Sequence, residues 1–315
     1  MFQKIIVPLD GSDLSERALP VALRISEAAG GEVSICSAID PKDQATISAY
    51  WALGGDMGGG IAALPPEDLV KSEAQRKSET EQYLARIKRD NEALANADST
   101  VLTGDPSEKV LEFAQDQGAG LIVMGTRGRS GILRGMFGSV TDRLLRTADI
   151  PVVVVPPDYQ PSSLASRGTL NIVVPLDGSK RSESALIAAL PMAQKTGSTV
   201  RALHFVQIES RSAGTPFNEI APIKANIDDL TSLASGYLED VRKRYEDSGV
   251  TIQPEVLVGY PASHIAEYVK GVPNAMVVMT SHGRSGIKRF LMGSVTDATL
   301  RNSTAPVMVV PAIEE

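Results

Sequence analysis

Two short patterns in this chain could do chemistry, and each recurs, the second without its first glycine. The first is Asp10-Gly11-Ser12 behind an apolar run, repeated as Asp177-Gly178-Ser179. The second is Gly125-Thr126-Arg127-Gly128, then nine residues, then Gly138-Ser139, starting where another apolar run ends. Glycine at 125 and 128 lets the backbone approach a ligand closely or take positive φ. Gly138-Ser139 opens a helical stretch whose free N–H groups and positive dipole end form an anion site worth roughly 0.3–2 kcal/mol. That combination suits a phosphate chain. The alternative, that these glycines only make tight turns, is weakened by the return of Gly283, Gly293 and Ser294 at the same spacing in a second copy.

Other ionisable residues say less. Arg127, Arg129 and Arg134 stand in the glycine loop, where they would neutralise a triphosphate or serve as ordinary solvated loop arginines. His204, His264 and His282 lack metal-ligand spacing, so no metal site is assigned. Asp10 has none of the neighbouring acids with which a phospho-accepting receiver holds Mg²⁺; its structural role is to cap the helix that follows. A GxxxxGK[ST] loop is absent, and neither a Ser-His-Asp set nor a GxSxG elbow can be assembled, so no catalytic residue is assigned.

The elements that must position these patterns follow from an internal repeat. KIIVPLDGSDLSERAL at Lys4 returns as NIVVPLDGSKRSESAL at Asn171, and GRSGILRGMFGSVTD at Gly128 returns as GRSGIKRFLMGSVTD at Gly283. Short runs rich in β-branched residues at 5–9, 33–39, 101–103, 121–124 and 152–155 read as strands buried on both faces. Helical stretches separate them at 13–29 behind the cap Ser12, at 66–95, 107–117 and 139–147. The second half repeats this with strands near Ile172, Val200, Glu255, Met276 and Val307. The pattern predicts an α/β protein of two tandem doubly wound five-stranded parallel-sheet domains, 1–157 and 169–315, joined by a Pro- and Ser-rich linker over 158–168. Extra length in the first half falls between Pro41 and Pro66, where GGDMGGG and Trp51 predict a mobile loop, with Trp51 closing over a ligand or pinning the loop.

Composition narrows the function. At 315 residues the chain suits two domains. With 31 Lys plus Arg against 38 Asp plus Glu, a net charge of −7, broad affinity for nucleic acid or an anionic membrane is not expected. No run reaches the 18 or so apolar residues of a membrane span, and the first apolar run reads as a strand. The one cysteine, Cys36, sits in a strand-like run and reads as inert core. A cytoplasmic protein is expected.

Strand-PLDGS, the late G-x₂-G-x₉-G-S and the closing PVVVVP resemble the universal stress protein family in its tandem form, over nearly the whole chain. The resemblance to its ATP-binding branch implies an adenine nucleotide alpha hydrolase-like sheet of order 3-2-1-4-5, with strands one and four adjacent at the switch point where such sheets bind ligands. It implies that Asp10 and its neighbours Pro8 and Leu9 meet the adenosine, with backbone contacts from Ala38. Arg127 and Arg129 would lie beside the phosphates, and Gly125, Gly128, Gly138, Ser139, Val140 and Thr141 would hold ribose and phosphates. In the second half the matching residues are Asp177, Phe205, Gly283, Gly293, Ser294, Val295 and Thr296. Thr280 replaces the first motif glycine there, which predicts unequal binding by the two halves.

The expected ligand is ATP, ADP or AMP, with or without Mg²⁺, and the expected role a stress or signalling module. The alternatives are a slow ATPase or self-phosphorylating protein using Ser139 or Thr141, and a ligand-independent adaptor. Family dimers imply that the closing strands of the two halves pair with each other as a pseudo-dimer. A further homodimer is expected from another surface.

Overall fold

The computed structural model describes residues 2–41, 72–126, 137–159, 170–207, 220–281 and 292–311, the side chains of 220–226 excepted. Trp51 and its glycine-rich insertion, Arg127, Gly128, Arg129, Arg134, His282, Gly283 and linker residues 160–168 lie outside them.

Most of the apolar runs become strands because their β-branched side chains are buried on both sheet faces, whereas the two outermost strands are partly exposed. In the first half these are β1 (Lys4–Pro8), β2 (Glu32–Ile39), β3 (Ser99–Thr103), β4 (Leu121–Gly125) and β5 (Val152–Val155). The helices are α1 (Asp13–Glu16), α2 (Ala18–Ala29), α3 (Glu73–Asp90), α4 (Pro106–Asp116) and α5 (Ser139–Thr147). The second half runs β6 (Asn171–Pro175), α6 (Lys180–Thr196), β7 (Thr199–Val206), α7 (Ile220–Arg244), β8 (Ile252–Val258), α8 (Pro261–Lys270), β9 (Ala275–Thr280), α9 (Ser294–Asn302) and β10 (Val307–Val310). Strand order is β3-β2-β1-β4-β5 in one half and β8-β7-β6-β9-β10 in the other, the 3-2-1-4-5 arrangement twice.

One expected helix is two. The stretch 13–29 is interrupted at Arg17, where α1 ends and α2 begins. Pro20 has no N–H to give the Glu16 carbonyl and its ring crowds that oxygen, which accounts for the interruption. Ile187 stands at this place in the second half, and α6 continues unbroken, with Pro191 inside it.

The two five-stranded sheets meet along β5 and β10. These strands pair antiparallel, Val307 opposite Val154, Met308 opposite Val153 and Val309 opposite Val152. In either sheet alone the closing strand would carry a row of unpaired backbone groups. The seam pairs those rows, and one ten-stranded sheet results. All four residues of each strand are buried, at about 1.5–3 kcal/mol for each valine side chain. On one face α2 and α6 pack across the seam, where the Lys195 ammonium donates to the Ala29 carbonyl at 3.1 Å. The start of the expected linker is anchored: Tyr159 is buried, and the Arg17 guanidinium donates to the carbonyls of Pro157 and Tyr159 at 2.6 and 3.2 Å.

Candidate functional site

β1 and β4 are neighbours, and their C-terminal ends leave the sheet together. Ile5 and Val7 share a core with α2, whereas Ile6 and Met124 share one with α5, so the chain departs to opposite faces at this point. Such a divergence opens a crevice above the strand ends.

At the β1 end the Asp10 carboxylate is organised by its own turn. Its Oδ1 accepts from the Ser12 N–H at 3.1 Å and the Ser12 hydroxyl at 2.6 Å, while the Asp10 N–H donates to Ser15 Oγ at 3.3 Å. Ser12 in turn caps α1 by accepting from the Ser15 N–H at 3.2 Å. Gly11 has φ 83, a left-handed conformation that favours glycine. The second half repeats the turn: Asp177 Oδ1 accepts from Ser179 at 3.0 and 2.6 Å, and Gly178 has φ 85. Asp10 and Asp177 therefore hold the turn that starts the following helix.

At the β4 end, α5 is tied down by two bonds. The Gly138 N–H donates to the Thr126 carbonyl at 3.0 Å, and the buried Thr141 hydroxyl donates to the Gly125 carbonyl at 3.1 Å. Gly138 is the N-cap, in extended conformation with no capping side chain. The N–H groups of Ser139, Val140 and Thr141 consequently have no partner within the helix. Ser139 is exposed, Val140 half-buried and Thr141 only 2% exposed, so of the two hydroxyls only Ser139 is open to an incoming phosphoryl group. The second copy is alike. Gly293 donates to Ser281 at 2.8 Å, Thr296 donates to Thr280 at 2.8 Å, and Ser294 is exposed with Val295 half-buried.

The structure changes the reason for several of these residues. Gly125 does not have positive φ, and a Cβ there would stand 2.7 Å from the Leu14 carbonyl oxygen of α1. Its missing side chain makes room for the chain's own helix. Thr280 occupies the corresponding position and is buried, and the helix of that half that corresponds to α1 and α2, α6, is unbroken. Leu9 is 2% exposed with its side chain in the core, and its N–H is taken by the Cys36 carbonyl at 2.8 Å, which leaves only its carbonyl for a ligand. Pro8 ends β1 and Ala38 is the last residue but one of β2, both half-buried. Phe205, the counterpart of Ala38, is buried, its ring 6.4 Å from that of His264.

One residue of the motif escaped the sequence reading. Thr126, directly after β4, is 6% exposed, and its hydroxyl is buried with no hydrogen-bond partner. A buried hydroxyl left unbonded costs about 1–3 kcal/mol, and Thr126 also bonds the N-cap of α5 through its carbonyl, so the residue marks a position where a ligand acceptor or donor would be welcome. Its counterpart Ser281 is partly exposed and is not so stranded.

Elsewhere, a cleft of roughly 550 Å³ lies in the second half between the end of β7 and α7, lined by Gly178, His204, Phe205, Leu230, Leu233 and Tyr237 among others. Burial pushes the Cys36 thiol up to about 12, which keeps it protonated and inert. Among the described residues no His, Cys, Asp or Glu cluster could hold a metal ion, and no helix is long and apolar enough to cross a membrane.

Duplicated strand-turn-helix geometry at two switch points coincides with a sequence profile that matches the chain twice, over residues 1–156 and 169–311. The chain belongs to the universal stress protein family. Stress response protein NhaX of Bacillus subtilis is 31% identical over 160 residues, 48% of this chain and 96% of that protein. Universal stress protein Slr1230 of Synechocystis is 24% identical over 317 residues, 97% of this chain and 99% of its own length, so the tandem arrangement recurs there. The crystal structure of a universal stress protein from Archaeoglobus fulgidus superposes with a TM-score of 0.66 at 19% identity, covering 99% of each chain, and shares the fold. This universal stress protein thus carries two family domains in one continuous sheet.

Proposed function

We propose that the first half binds an adenine nucleotide, ATP or its ADP and AMP relatives, and that occupancy sets which partners the protein meets in a stress response. The observation that carries this reading is the β4–α5 junction: Thr126, whose hydroxyl is buried without a partner, bonds the N-cap Gly138 through its carbonyl, and the first N–H groups of α5 have no partner within the helix. A helix N-terminus attracts anions, and a phosphate oxygen or ribose hydroxyl would satisfy the buried hydroxyl as well. Asp10, held by its Ser12 turn at the end of β1, would meet a ribose hydroxyl, and Gly128, Arg127 and Arg129 complete the loop in sequence. Mg²⁺ would enter with the phosphates rather than through a protein cluster. Pairing of β5 with β10 supports a self-contained pseudo-dimer in solution, with any homodimer using another surface.

The direct test is mass spectrometry of freshly purified, gently denatured protein, followed by titration calorimetry with ATP, ADP and AMP. A co-purified or titratable adenine nucleotide is expected, with ATP retained over hours. Release of ADP on incubation would favour a slow ATPase, and no binding of any of the three would remove the nucleotide reading in favour of an adaptor.

A further inference from the structure

Among the described residues three ties hold the start of α5, and one of them comes from the other half of the chain. Two are the bonds from Gly138 and Thr141 to the end of β4. The third is the Arg301 guanidinium of α9, which sits over the Phe137 ring at 4.9 Å from its centroid. That distance lies within the roughly 6 Å range of a cation–π contact. Phe137 immediately precedes the N-cap Gly138 and packs against the core beneath α5.

Arg301 is itself held. Its guanidinium donates to both carboxylate oxygens of Asp297 one turn earlier, at 2.7 and 2.8 Å, and Arg146 of α5 repeats this with Asp142 at 2.9 Å twice. The bidentate grip fixes the plane of the guanidinium, so the stack on Phe137 costs little further ordering. Each aspartate also acts on the arginine of the other half. The arrangement is one-sided, because the residue before Gly293 is Met292, which offers no ring to Arg146.

We infer that Arg301 is a positioning residue for the anion site of the opposite half, acting through its stack on Phe137. α9 carries Gly293 to Thr296 at its own N-terminus and Arg301 in its last turn, so a displacement of this helix is transmitted to the start of α5. The two halves then act as coupled sites rather than as independent modules. By linkage, any such coupling of two bound ligands must be equal in both directions.

The ligand named here rests on the nucleotide reading above, and the experiment separates the two claims. Amide hydrogen exchange of the ligand-free full chain reads the positioning directly, at the bonded N–H groups of Gly138 and Asp142. Arg301→Ala and Phe137→Leu are each expected to accelerate exchange there about two- to fivefold and to weaken ATP binding by a similar factor. The double variant should be no worse than the poorer single, since both remove one contact. Phe137→Tyr, which keeps the ring, should behave as the parent. Unchanged exchange and affinity in Arg301→Ala, or additive effects in the double variant, would overturn the inference. If the parent binds no ATP, the nucleotide reading falls, and the exchange result alone decides the positioning role.

Discussion

Replacing Gly125 by Ala should destabilise the protein in the absence of any ligand. The new Cβ would lie 2.7 Å from the Leu14 carbonyl oxygen, 3.3 Å from its carbonyl carbon and 3.5 Å from the Ser15 Cα. All three are backbone atoms at α1, so no side chain can rotate away; relief requires shifting the helix or the end of β4. Overpacking of this kind costs about 1–3 kcal/mol. The lower entropy of Ala in the unfolded chain returns about 0.4–1 kcal/mol, because Gly125 is not at positive φ. A net loss of about 0–2.6 kcal/mol, centred at about 1.3 kcal/mol, remains, and at about 2–4 °C per kcal/mol for a cooperative domain of about 150–250 residues the melting temperature should fall by about 3–5 °C at that centre. Scanning calorimetry of the nucleotide-free protein measures it. An unchanged ligand-free melting temperature together with lost ATP affinity would refute the packing argument and return Gly125 to the ligand.

Gly138 gives a milder expectation: at φ −62 and ψ 150 its backbone suits any residue, so Gly138→Val should cost only the poorer N-cap, about 0.5–1 kcal/mol or a few degrees of melting temperature, while abolishing ATP binding by calorimetry, its branched side chain covering the mouth of α5. Cys36 predicts alkaline sensitivity. Its folded pKa lies near 12 against 9.0 for a free thiol, so its contribution is complete below about 9 and is lost as the unfolded chain ionises between 9 and 12. Urea midpoints across that range should fall less steeply in Cys36→Ala, and native protein at pH 8 should resist thiol labelling. Severing the chain at residue 160 bares the β5 edge that β10 covers, and the isolated first half should dimerise through it in analytical ultracentrifugation. A strictly monomeric half at high concentration would contradict edge pairing.

Much of the architecture was legible because it rests on local chemistry. Alternating β-branched runs and capped amphipathic stretches have few other uses, and the repeat shows each element twice. The Asp10-Gly11-Ser12 turn was readable for the same reason, since a capping serine and a left-handed glycine act within a few residues of chain. Pro20 was visible too, but its effect, a helix split at Arg17, depends on the competition between the missing bond and the packing of α2.

What the sequence could not disclose are relations between residues far apart in the chain. Gly125 and Leu14 meet across 111 positions, and only their close approach shows that a glycine in a ligand motif makes room for a helix. Thr126 stands in the middle of the motif, yet the feature that distinguishes it, a buried hydroxyl without a partner, exists only once β4 and α5 enclose it. Phe137 and Arg301 belong to different repeats, and their contact follows from the antiparallel seam of β5 and β10. Periodicity and capping determine which elements form, because they act over a few residues; burial, bond satisfaction and contact across the seam are properties of the packed sheet, and the tertiary structure alone decides them.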